Sequence, residues 1–197
     1  MDIAGYAIYR SDRPGARTGG GTAVLVQDNI PARQVHLPVE QEHTAVTVNL
    51  GGKEILAVSL YVKTGKLKAQ DLEQILHRPV LVLAGGDLNA RHKRTGSAYN
   101  SVNGTVLMGS RSTLDRLALF IPPEPTHQHH AGKYALSVLD YFFSNYNAPG
   151  VVQVDTTSDV TSDHRPIILT VQDRGSPGVA GGPDRKAIHR SYIGGDK

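Results

Sequence analysis

Residues 80–84, Val-Leu-Val-Leu-Ala, are apolar without a break and lead directly into Gly85-Gly86-Asp87. A strand that is apolar at alternate positions shows one face to water, whereas one that is apolar at every position is covered on both faces. The run therefore predicts a central strand with layers packed above and below it, an α/β sandwich, and it ends in a carboxylate. Its neighbours fit that frame. Val46, Val48 and Leu50 alternate with Ala45, Thr47 and Asn49, then Gly51-Gly52 leads into a second β-like run over 54–61. Two glycines between strands suit a primed hairpin turn, which needs positive φ. Leu72, Ile75 and Leu76 place one apolar stripe on a helix over 68–77, stopped by Pro79.

Elsewhere the pattern is less regular. Residues 11–21, rich in Arg, Gly and Asp, read as a loop feeding a strand at 22–27. A second helix is predicted from Ser112, where a Ser-x-x-Asp cap reaches Asp115 ahead of Leu114, Leu117 and Ala118, and it should end before Pro122-Pro123. Further β-like runs lie at 138–144, 151–154 and 167–171. From 174 onward Gly, Pro, Asp, Arg and Lys predominate without apolar periodicity, so that stretch cannot bury enough surface to order itself. The expected organisation is one domain, 1–173, and a flexible linker or tail, 174–197. A chain of 197 residues can build one sizeable core.

Composition removes several kinds of chemistry. With no cysteine there is no disulfide, thiolate zinc site or thiol nucleophile, so any metal must be held by oxygen or histidine. Hard cations, Mg²⁺ or Mn²⁺, fit that ligand supply. No apolar run approaches the ~18 residues of a membrane span. Met1-Asp2-Ile3 lacks the basic start and apolar stretch of a signal peptide, making an intracellular location the default. A net charge of +3 and a pI near 9.2 are compatible with a polyanionic partner and equally with an ordinary solvated surface.

Three short motifs carry chemistry. Asp87 and Asn89, two residues apart at a strand tip, offer an acid and an amide to one ligand: the acid can position or deprotonate water, and the amide can donate to a phosphate oxygen or steady the acid. The same pair also makes turns unaided. Ser162-Asp163-His164-Arg165-Pro166 sets an acid beside a histidine at the entry to an apolar strand. In extended backbone adjacent residues face apart, so the two should serve different roles, Asp163 suiting a hard metal and His164 a phosphoryl oxygen or a proton. Asp140, among Val138, Leu139, Tyr141 and Phe142, needs a partner if buried, and a histidine is the natural one. Arg91-His92-Lys93-Arg94 follows the Asp-Asn tip and can meet backbone phosphates. His127, His129 and His130 share one loop, but neither a helical His pair nor an acid at matching spacing supports zinc there.

In this order, Gly86-Asp87-Leu88-Asn89-Ala90, then Leu139-Asp140-Tyr141, then Ser162-Asp163-His164-Arg165-Pro166, the chain resembles the endonuclease/exonuclease/phosphatase superfamily. Within it, Gly5-Tyr6, Tyr9-Arg10, Gly19-Gly20-Gly21 and Pro125-Thr126-His127 resemble the apurinic/apyrimidinic-like endonuclease domain of non-LTR retrotransposons, over about residues 5–172. The resemblance implies a DNase I-like four-layer α/β sandwich of two mixed β-sheets flanked by helices. It implies roles too: Asp87 activating water, Asn89 on the scissile phosphate, His164 on the phosphoryl oxygens with Asp140 orienting it, the Tyr61 hydroxyl on phosphate, and Asp163 at Mg²⁺ or Mn²⁺. Arg91, Lys93 and Arg94 would hold the nucleic acid.

The family carries an Asn strand and a metal-binding Glu strand ahead of the Gly-Tyr segment. The expectation is thus a domain lacking its first strands, with apolar sheet edges uncovered; Glu40 and Glu42 precede a hairpin and do not replace that Glu. The function implied is metal-dependent DNA nicking, in the nucleus, beside a reverse transcriptase encoded downstream. Two other readings stand: a remnant that at most binds nucleic acid, and a phosphoesterase of the same superfamily acting on a phospholipid or inositol phosphate.

Overall fold

The computed structural model describes residues 3–13, 20–128, 136–146, 150–155, 162–172 and 186–191. In chain order the strands are β1 Tyr6–Asp12, β2 Gly21–Gln27, β3 Ala32–Val35, β4 Glu42–Leu50, β5 Lys53–Tyr61, β6 Leu81–Asp87, β7 Ala118–Phe120, β8 His127–Gln128, β9 Leu136–Ser137, β10 Asp140–Ser144, β11 Gly150–Val154, β12 Ile167–Gln172 and β13 Lys186–Ser191. The helices are α1 Ala69–Leu76 and α2 Val102–Thr113.

A six-stranded mixed sheet, ordered β3-β4-β5-β6-β10-β7, is the centre of the molecule. Its one parallel pair, β5 with β6, is joined through α1, because a parallel connection needs a crossover rather than a tight turn. The β4–β5 hairpin closes through Gly51 (φ 62°) and Gly52 (φ 83°), the two positive φ values a primed turn requires.

The all-apolar run becomes β6, flanked by β5 and β10, and its two faces meet different partners. Val82 and Ala84 join Leu56, Val58 and Phe143 against Leu72, Ile75 and Leu76 of α1 and Leu107 of α2. Leu83 lies on the opposite face, where β2 contributes Val24 and Val26 and β12 contributes Ile167 and Leu169. The expected DNase I-like architecture is the one observed. Among the described residues the layer opposite the helices is in two pieces, the β1–β2 hairpin and an antiparallel sheet β11-β12-β13, with no ladder between them.

Two expectations are corrected. The loop at 11–21 is shorter than predicted, because Tyr6 to Asp12 pair with Gly21 to Gln27 as a hairpin. The second helix lies earlier: α2 starts after Ser101, whose Oγ accepts the Gly104 N–H at 3.1 Å, and it ends at Thr113, one residue past the predicted start. Gly104, Thr105, Gly109, Ser110 and Ser112 are weak helix formers and hid it, while Ala118 to Phe120, expected to be helical, gain a ladder on β10. Within 174–197, Lys186 to Ser191 pair antiparallel with β12. The rest of 174–197 lies outside the described residues.

Candidate active site

Strand register assembles the site. Asp140 on β10 stands opposite Asp87 on β6, Tyr61 on β5 stands beside Asp87, and Glu42 on β4 stands opposite Tyr61. Residues in register point to the same face, so Glu42, Tyr61, Asp87 and Asp140 form a row across four adjacent strands. Gly86 allows the row to form. Its φ of 144° is left to glycine, and a Cβ there would run into the Leu60 carbonyl of β5.

Just past the strand, Asn89 takes a left-handed conformation (φ 47°) and turns back on Asp87. Its backbone N–H donates to Asp87 Oδ1 at 2.8 Å, and its Nδ2 donates to Asp87 Oδ2 at 3.2 Å and to the Val62 carbonyl at 3.0 Å. The turn and the amide that steadies the carboxylate are one structure.

His164 arrives from the other β layer. Its Nδ1 donates to Asp140 Oδ2 at 2.9 Å, and its Nε2 lies 4.0 Å from Asp87 Oδ2. The partner expected for Asp140 is therefore this histidine. Thr126, which is fully buried, ties the two layers together: its Oγ1 accepts the Leu139 and Asp140 N–H groups at 3.0 and 3.2 Å, and its carbonyl accepts the Arg165 N–H at 2.7 Å.

Asp163 does not turn away from His164 as extended backbone would require, because Ser162 and Asp163 form a bend. Its Oδ2 lies 3.4 Å from Nε2 of buried His127, whose ring meets that of His164 edge-on at 4.8 Å between centroids. One ligand atom from each of His127, Asp163 and His164 lies within 4.8 Å of the others. His129 and His130, which share that loop in the sequence, lie outside the described residues.

Burial and the neighbouring Asp140 charge push the Asp87 carboxyl up to about 7. Burial alone would discourage charge on His164, but the hydrogen bond to Asp140 and the fields of Asp140, Asp87 and Asp163 outweigh it and raise its pKa above the ordinary histidine value. Burial, reinforced by positive charge on His164, lowers the pKa of His127. The pair thus favours an imidazolium on His164 and leaves the Asp87 carboxyl poised near pH 7 to gain or lose a proton.

The basic loop divides. Arg91 belongs to the site: its Nε donates to Ser137 Oγ at 3.2 Å, its guanidinium lies 5.8 Å over the Tyr99 ring, and its field lowers the Asp87 pKa. Lys93 and Arg94 form an exposed 3₁₀ turn, Lys93–Thr95, capped by His92. Glu40 is exposed and bound to Lys68 Nζ at 2.6 Å. Glu42 accepts Arg13 Nε at 2.9 Å, with Lys63 Nζ at 3.7 Å, and the Arg13 guanidinium lies 5.3 Å over the Tyr61 ring.

Sequence reasoning gave no role to Thr126 or His127, although both sit in Pro125-Thr126-His127. A polar pair directly after prolines and ahead of an apolar strand was the available signal. Tyr141, whose buried hydroxyl donates to the Ala90 carbonyl at 2.7 Å and has its pKa pushed up to about 12 by burial, looks in the sequence like any core aromatic.

Comparison with known proteins identifies the family and the fold. The chain matches the Endonuclease-reverse transcriptase family over residues 55–168, the stretch holding Tyr61 through His164. It is 25% identical over 179 residues to a probable RNA-directed DNA polymerase from transposon BS of Drosophila melanogaster, covering 87% of this chain. It is 22% identical over 177 residues to the RNA-directed DNA polymerase from mobile element jockey of the same fly, covering 86%. The chain spans only 20% and 19% of those two relatives. Among solved structures, the endonuclease domain of TRAS1, a telomere-specific non-LTR retrotransposon, superposes with a TM-score of 0.66 at 21% identity, covering 86% of this chain and 79% of that one. An endonuclease/exonuclease/phosphatase family protein from Leptotrichia buccalis superposes with a TM-score of 0.62 at 16% identity, covering 84% and 71%. In fold and in sequence, this chain belongs to the Endonuclease-reverse transcriptase family, the retrotransposon branch of the endonuclease/exonuclease/phosphatase superfamily.

Proposed function

We propose that this chain is a divalent-metal-dependent endonuclease domain that nicks DNA for a non-LTR retrotransposon. The observation that carries the reading is the meeting of Asp140-oriented His164 with Asn89-gripped Asp87 at the end of a register row that includes Tyr61. Hydrolysis of a phosphodiester needs a base for water, positive charge against the phosphoryl oxygens, and an aligned leaving oxygen. Asp87 takes a proton from water as the water oxygen bonds phosphorus and the bond to the leaving sugar oxygen breaks. His164, held as an imidazolium by Asp140, stabilises the charge that builds on the non-bridging oxygens. The Tyr61 hydroxyl donates to a phosphate oxygen, and the leaving oxygen takes a proton from solvent water.

The donor set fits a hard dication: the Asp163 carboxylate is 42% exposed, leaving room for the waters and substrate oxygens that complete a Mg²⁺ or Mn²⁺ shell. When bound there, the ion supplies further positive charge against the phosphate. Arg91, Lys93 and Arg94 lie on the loop that follows Asn89 and would bind backbone phosphates beside the scissile bond. The retrotransposon relatives favour DNA over a phospholipid or inositol phosphate as substrate, and they support a downstream reverse transcriptase in the same polyprotein.

The test is nicking of supercoiled plasmid by the purified chain with Mg²⁺ or Mn²⁺. Asp87→Ala and His164→Ala should each slow nicking by ~10²–10³-fold. Wild-type nicking no faster than the two variants would overturn the reading, and salt-dependent DNA binding that survives in that case would mark a chain that only binds.

A further inference from the structure

The cluster of His127, Asp163 and His164 reaches beyond what a hard dication needs. Mg²⁺ is held by one or two carboxylates with waters, and neither imidazole improves its shell. Two imidazoles and one carboxylate instead match the ligand set of borderline transition-metal dications such as Zn²⁺ and Co²⁺.

The geometry adds two further points. The Nδ1 of His164 is engaged by Asp140 Oδ2 at 2.9 Å, which leaves Nε2 as its free ligand atom. A carboxylate fixing the tautomer of a metal-binding histidine is the usual outer support of such sites. Second, His127 is only 7% exposed, and it directs Nε2 at Asp163 Oδ2 from 3.4 Å, so two of the three ligand atoms already stand at coordination spacing. Ligand atoms around a tetrahedral ion with bonds of about 2.1 Å lie about 3.4 Å apart. The three candidate atoms lie within 4.8 Å of one another, so closing the triangle asks for a side-chain shift of roughly an ångström.

We propose that His127, Asp163 and His164 form a binding site for a transition-metal dication of the Zn²⁺ and Co²⁺ class, and that filling it switches the domain off. The ion ties up the Nε2 of His164 that would face the phosphate, and it takes the carboxylate that a hard cation would use. The inhibitory half rests on the nuclease reading above; the binding half does not.

Co²⁺ is the probe for binding, because its visible absorption rises sharply when it leaves six-coordinate water for a protein site of lower coordination. The full chain titrated with Co²⁺ should take up one ion with such a spectrum, and Zn²⁺ should displace it. His127→Ala and the more conservative, half-exposed Asp163→Asn should each weaken that ion by at least ~10-fold. His43→Ala, at the unrelated His36–His43 pair, should leave it unchanged. Absence of the spectrum, or unaltered affinity in both His127→Ala and Asp163→Asn, overturns the site. In a parallel plasmid assay, Zn²⁺ added over Mg²⁺ should stop wild-type nicking at the concentration that displaces Co²⁺. Nicking that continues with the site filled overturns the switch while leaving the nuclease reading intact, whereas no nicking under Mg²⁺ alone counts against the nuclease reading and not against the metal site.

Discussion

The Nε2 of His164 stands 4.0 Å from the carboxylate of Asp87, and both groups have raised pKa values, that of Asp87 reaching about 7. They act as one titrating unit, since a proton on either changes what the other can hold. Stability should follow. A group whose folded pKa is raised favours folding below its unfolded value and loses that contribution as pH climbs through the folded value. For Asp87 the window runs from its ordinary 3.8 up to about 7, and for His164 it begins at the ordinary 6.5 and extends upward. Metal-free protein should therefore lose stability as pH rises from the ordinary Asp87 value of 3.8 through about 7, with the His164 contribution lost above 6.5, an expectation read from urea midpoints. Asp87→Asn, which removes the Asp87 part, should flatten the curve below about pH 7; an equally steep curve there in the variant would place the titration elsewhere.

Asp140 is predicted to set how far up the pH scale the imidazolium survives. Asp140→Asn removes the charge hydrogen-bonded to Nδ1 and should move the alkaline limb of the nicking rate toward lower pH, with a loss of rate of ~10²–10³-fold at the optimum. The pH–rate profile separates this from simple misfolding, which would lower the rate without moving the limb.

Thr126 is predicted to matter through its hydroxyl alone. Thr126→Val keeps the shape but leaves the Leu139 and Asp140 N–H groups without their acceptor, which should cost ~1–3 kcal/mol in chemical denaturation. Thr126→Ser should recover most of it. If valine and serine behave alike, the hydroxyl is not the connection between the layers.

Lys93 and Arg94 are exposed and should act on phosphates without reading sequence. Removing either should weaken DNA binding alike for unrelated duplexes and reduce the slope of log K against log salt by about 1. Arg91→Ala should do more, because that side chain also braces Ser137 and carries positive charge next to Asp87.

How much of this was legible beforehand follows from the range of each interaction. The β4–β5 hairpin, α1 and the doubly covered β6 were readable because each is written within about a dozen residues, in a period, a glycine pair or an apolar run. Helix α2 was misplaced because its signal is a cap on a run of poor helix formers, and β7 because its partner β10 lies twenty residues away. The pairing of Asp140 with a histidine was foreseeable from the energetics of a buried charge. That His127 would be drawn to Asp163 depended on a bend at 162–163 and a bridge between His127 and His164, neither of which has a local signature.

The second β layer, which among the described residues is in two pieces that share no ladder, has its own consequence for how the molecule opens. The β1–β2 hairpin holds to the central sheet largely through side chains around Val24 and Val26, whereas β11 and β12 hold through Phe142, Ile167 and Leu169. Amide exchange should resolve these as separate units, the hairpin releasing its protons without waiting for the strand that follows His164. Arg13, the cation over Tyr61, directly follows β1 within the hairpin, so breathing of that hairpin would reach the rim of the register row while the Asp140–His164 side stays closed.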